Sequence, residues 1–61
     1  MKMIKKIREY LTPKGYLVGL YLLGSTDVVT ILCPDGELVT TAFDSLTFAA
    51  SAYTEAINLY S

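Results

Sequence analysis

Apolar positions along this chain change their period twice, and each stretch predicts an element of its own. In "KMIKKIREYL" the residues Ile4, Ile7 and Leu11 follow the i, i+3, i+7 spacing of a helical stripe, flanked by Met3 and Tyr10. "TPKG" ends that stripe, because Pro13 disfavours a helical Thr12 and Gly15 relieves the turn. Three β-rich runs follow: "YLVGLYLL", "DVVTILC" and "ELVTTAF". "GST" turns the first into the second. "CPDGE" joins the second to the third, with proline at the second turn position and glycine after aspartate, as in a type I turn with a bulge.

The last stretch, "DSLTFAASAYTEAINLYS", returns to helical spacing. Asp44 is placed to cap it, its carboxylate accepting from the free first-turn amides. Leu46, Ala50, Tyr53, Ile57 and Tyr60 form one face, and Phe48, Ala52 and Leu59 form a second apolar patch away from the first. The pattern therefore predicts one small α+β domain over residues 1–61. Its order is α-β-β-β-α: a three-stranded antiparallel meander with both helices packed on one face.

Pairing the runs across their turns sorts the strand residues into two sets. Tyr16, Val18, Leu20, Leu22, Val29, Ile31, Cys33, Val39, Thr41 and Phe43 share one face, expected beneath the helices. Leu17, Tyr21, Leu23, Val28, Leu32 and Leu38 share the other, softened by Gly19, Thr30, Thr40 and Ala42. The two faces of an antiparallel sheet normally differ in polarity, but the first run is apolar on both. In a three-stranded meander it is also an edge strand, without a protective lysine or proline. The expected interface residues are Leu17, Tyr21, Leu23, Leu32 and Leu38 on the sheet and Phe48 and Leu59 on the last helix.

Composition strengthens this expectation. Charged residues make up 18% of the 61-residue chain, against a usual ~25%, so few charges are available to solvate a free surface. A domain of this length has little core of its own and gains from a partner. The expected partners are the chain itself, as a dimer or higher homo-oligomer, and a further protein. The five tyrosines, Tyr10, Tyr16, Tyr21, Tyr53 and Tyr60, suit interfaces because each joins a large apolar ring to a polar tip.

The charges are unevenly placed. Lys2, Lys5, Lys6, Arg8 and Lys14 all precede Gly15, and no base follows it. An alternative function follows from this: an oligomeric anion binder in which Lys2, Lys5, Lys6 and Arg8 on the first helix hold nucleic acid or a nucleotide.

Catalysis finds little support. There is no histidine to serve as general base. Asp35 and Glu37 belong to a turn, Asp44 to a cap and Asp27 to a strand start, the glycines form no phosphate loop, and Cys33 is the only cysteine and has no activating base. No cofactor, metal site or disulfide is expected. "MKMIKKIR" before "YLVGLYLLG" has the charge order of a signal peptide, but Pro13 and Lys14 intervene and no small-residue cleavage site follows. "GSTD" ends the apolar run well short of the ~18 residues a membrane helix needs. The expected setting is cytoplasmic, away from the membrane.

The α-β-β-β-α order resembles the topology of double-stranded-RNA-binding domains, a family with phosphate-binding lysines at the start of its second helix. Here "DSLTFAAS" holds an acid and no base, so those contacts have no counterpart. In its short, charge-poor, single-domain style the chain resembles small inhibitors encoded by phages and plasmids, which implies a regulator of a host system.

Overall fold

The computed structural model describes residues 4–61. Four strands and one helix follow in order: β1 Ile4–Leu11, β2 Leu17–Leu23, β3 Thr26–Leu32, β4 Leu38–Phe43 and α1 Leu46–Tyr60. The strands form one antiparallel sheet in the order β1-β2-β3-β4. This corrects the expected α-β-β-β-α arrangement to β-β-β-β-α, with one helix on the sheet and not two.

The error lies in the first element, and its cause is a bulge. "IKKIREYL" is a strand whose register against β2 shifts between Lys6 and Arg8, leaving Ile7 as the extra residue. A bulge moves the two-residue period of a strand by one position. Ile4 (opposite Leu23) and Leu11 (opposite Leu17) consequently lie on the same side of the sheet although they are seven residues apart. A helix would align the same pair, so the apolar spacing could not separate the two structures. An isolated helix of this length is marginal in water, whereas a strand here pairs with the free edge of β2.

The loop before β2 is also a hairpin turn and not a helix stop. In "TPKGY" Thr12 N donates to Tyr16 O (2.8 Å) and Gly15 N to Thr12 O (2.9 Å). In "CPDGE" Cys33 N donates to Glu37 O (2.8 Å) and Gly36 N to Cys33 O (2.9 Å). Gly15 and Gly36 take matching left-handed φ values of 92° and 97°, which an L side chain resists. The two turns are the same structure built twice, at the same end of the sheet. Thr12 adds a bond of its own, its buried Oγ1 accepting from Tyr16 N at 3.1 Å. The β2–β3 connection is a two-residue loop with Gly24 at positive φ in the first central position, as a type II′ turn requires.

β2 is therefore an interior strand between β1 and β3, which corrects the expectation of a free edge along Tyr16–Leu23. The assignment of faces holds. Val18, Leu20 and Val29 are buried beneath α1 with Ala49, Tyr53 and Ala56, and Ile31 and Phe43 pack around them. The helix departs from expectation in two details. Ser45, not Asp44, is its N-cap, with Oγ accepting from Thr47 N at 3.2 Å. The buried helix face is centred on Ala49, Tyr53 and Ala56, so Leu46 is exposed. Alanines at the contact let the helix axis approach the sheet closely, and Leu46 would hold it away. At its far end Tyr60 stacks on Tyr16 (ring centroids 4.3 Å apart), pinning the last turn to the start of β2.

Candidate functional site: the open face of the sheet

The helix covers one face of the sheet and leaves the other open. Register places Ile4, Lys6, Glu9 and Leu11 of β1 on the open side, then Leu17, Gly19, Tyr21 and Leu23 of β2. β3 contributes Thr26, Val28, Thr30 and Leu32, and β4 adds Leu38, Thr40 and Ala42. Five of the seven expected interface residues, Leu17, Tyr21, Leu23, Leu32 and Leu38, thus fall on one surface. Leu17, Tyr21 and Leu23 are half-buried by their neighbours, and Leu38 is 61% exposed. Phe48 and Leu59, 69% and 71% exposed, lie on the helix and so beyond the other side of the sheet.

Tyr21 organises the middle of the open face. A Cβ built on Gly19 would lie 2.4 Å from Tyr21 Cε1 and 2.8 Å from Thr30 Oγ1. The ring therefore lies across the backbone where a side chain would otherwise stand. Its hydroxyl donates to Glu9 Oε2 at 3.1 Å, and Glu9 Oε1 meets Lys6 Nζ at 3.4 Å. Partial desolvation, with the Glu9 hydrogen bond and charge, raises the Tyr21 phenol above its ordinary value, so it stays a neutral donor. Beside the ring lies a shallow apolar depression of about 230 Å³ lined by Ile4, Tyr21, Leu23, Val28 and Thr30. Pattern reading located Tyr21 on this face but missed Ile4 and Leu11, which were assigned to a helix.

Gly19→Ala tests this packing. The added methyl cannot coexist with the Tyr21 ring and the Thr30 hydroxyl in place, but the obstructing atoms belong to two side chains that can rotate. Loss of the Tyr21–Glu9 contact should be largely offset by the better strand propensity of alanine, about 0.5–1 kcal/mol. The expected result is a melting temperature within a few degrees of the parent and a Tyr21 ring freed from Glu9, read from its NMR chemical shifts. A ring that keeps its shifts would show that the close approach is not what positions it.

The residues expected to bind anions do not converge. Lys5 and Arg8 pair with Leu22 and Leu20 and so share the helix side of the sheet. Lys6 is on the open side, in the ion pair with Glu9. Lys2 lies outside the described residues. Because β1 is a strand, the proposed basic helix face does not form. Among the described residues, no group of three or more His, Cys, Asp or Glu side chains gathers to hold a metal. Desolvation, followed by the carboxylates of Asp35 and Glu37, pushes the Cys33 thiol up, away from the reactive thiolate. Among the described residues, no helix is long and apolar enough to cross a membrane.

Comparison of the chain with protein-family models, curated proteins and solved structures found no match.

Proposed function

We propose that this chain is a non-catalytic interaction protein that self-associates and presents the open face of its sheet to a protein partner, as an inhibitor or regulator carried by a mobile element would. One observation carries the reading: a four-stranded sheet with its helix on one side and an apolar, uncovered surface on the other. Four strands spaced about 4.8 Å apart and about 20 Å long make a plane of roughly 400 Å². Apolar patches of about that size on soluble proteins are often functional. Its charged residues, Lys6 and Glu9, neutralise one another at one side, so an apolar partner meets no uncompensated charge. The raised Cys33 thiol and the lack of any histidine support a binding role over a chemical one.

Tyr21→Lys tests the proposal. It places an ammonium in the centre of the open face while leaving Val18, Leu20 and Val29 in the core. Because Tyr21 is only half-buried, the fold should lose little stability, on the order of 1 kcal/mol. Binding should suffer far more. A dye that fluoresces on apolar surfaces should bind the parent and bind the variant weakly. Proteins captured from a host lysate by the parent should be missing from an equal load of the variant. Identical dye binding and identical captured proteins would refute the open face as the binding surface.

A further inference from the structure

The two edges of the sheet are built differently. β1 carries Lys5, Lys6, Arg8 and Glu9 and is broken by the bulge at Ile7. Charges and bulges are the devices that keep an edge strand from pairing with another chain. β4, "LVTTAF", has neither: it is uncharged, free of proline and in unbroken register with β3, and every residue from Leu38 to Ala42 is exposed. One edge is guarded and the other is open.

We infer that β4 pairs antiparallel with β4 of a second copy, across a two-fold axis at Thr40, to make one continuous eight-stranded sheet. The inference rests on the reading of the chain as a self-associating interaction protein and specifies how the copies meet. The ladder indicates which groups are free. Cys33 N donates to Glu37 O, making those residues a hydrogen-bonded pair. Alternation along an antiparallel ladder then turns the amides and carbonyls of Val39, Thr41 and Phe43 toward β3 and those of Leu38, Thr40 and Ala42 outward. With the axis at Thr40, Leu38 faces the partner copy's Ala42 and the two Thr40 residues face each other on the open side. Val39 faces the partner copy's Thr41 on the helix side. All these neighbours are apolar or threonine, favourable across strands, and Glu37 and Asp44 lie just outside the paired segment.

The occupant is a second copy because its β4 is the one uncharged, unbroken sheet edge among the described residues, and its β1 would bring four charges and a bulge to the junction. The geometry also has a consequence for binding. A two-fold axis perpendicular to the sheet keeps both open faces on the same side and doubles the plane to roughly 800 Å². That is the area one partner contributes to a standard protein–protein interface.

Thr40→Pro is the decisive variant. It removes an outward N–H and leaves the bonds to β3 intact, a placement that edge strands tolerate. Sedimentation equilibrium at micromolar concentration should give twice the 6.7 kDa chain mass for the parent. Thr40→Val should match the parent, and Thr40→Pro should sediment as a single chain with unchanged circular dichroism, its association weakened at least tenfold. Amide exchange in the parent supplies a readout that does not depend on any variant folding. The amides of Leu38, Thr40 and Ala42 should be protected, and more so as concentration rises. A monomeric parent, freely exchanging amides at those positions, or a folded Thr40→Pro variant that associates like the parent would each overturn the inference. Tyr21→Lys should remain dimeric. If it dimerises yet captures the same proteins as the parent, the edge pairing stands and the open-face function fails.

Discussion

Leu20→Ala is expected to remove roughly half or more of the chain's folding stability. Leu20 is 2% exposed and lies in the middle of β2, an interior strand with neighbours on both edges and the helix above it. Among the described residues its side chain belongs to a core cluster of six buried residues, with Val18, Val29, Ala49, Tyr53 and Ala56. Truncating a buried leucine to alanine costs about 2–5 kcal/mol, the upper end where the surroundings cannot collapse into the space. Backbone ladders on both sides of β2 oppose such a collapse. A chain of this length has about 3–9 kcal/mol of stability in total, so the loss is on the order of half of it. Urea titration followed by circular dichroism is the measurement. A midpoint within a few tenths molar of the parent would mean that the helix is not seated on Leu20.

Ala49→Leu should be nearly as damaging, for the opposite reason. Ala49 has no exposed surface and sits where α1 rests on β2 and β3. A leucine there must push the helix off the sheet or displace Val18, Leu20 or Val29, and overpacking of this kind costs about 1–3 kcal/mol. The displacement should also separate Tyr60 from Tyr16, because the last turn of the helix is held by that stack. A lower melting temperature together with a reduced near-ultraviolet tyrosine signal is the expected pair of observations. Ala52→Leu, on the half-buried flank of the same helix, is the control and should be tolerated. Equal behaviour of the two variants would mean that alanine contacts do not set the helix–sheet distance.

Much of the sheet was legible in the residues. Alternation of side chains about a known turn determines which residues share a face, and "CPDGE" supplied the turn for β3 and β4. The tight "GS" loop did the same for β2 and β3. The open face could therefore be placed residue by residue across those three strands. The first strand was misread although it ends in the same x-P-x-G-x pattern, "TPKGY". A proline–glycine turn terminates a helix as readily as it reverses a strand, and local chemistry does not choose between the two. The N-cap was misread by one residue because Asp44 and Ser45 are both good capping residues. Which one caps depends on where β4 releases the chain.

The sequence by itself determined the periods of the apolar residues, the turns, the poverty of charge and the surplus of apolar side chains on the strand "YLVGLYLL". These are local properties, settled by side-chain chemistry over a few neighbouring residues. The tertiary structure alone decided whether "IKKIREYL" would be helix or strand. A bulge at Ile7 lets Ile4 and Leu11 face the same way in either conformation, and only the vacant edge of β2, with its unpaired amides and carbonyls, favours the strand. That choice made β2 interior, transferred the exposed edge to β4 and separated Lys6 from Lys5 and Arg8. It also removed the second helix and left the surface around Tyr21 open.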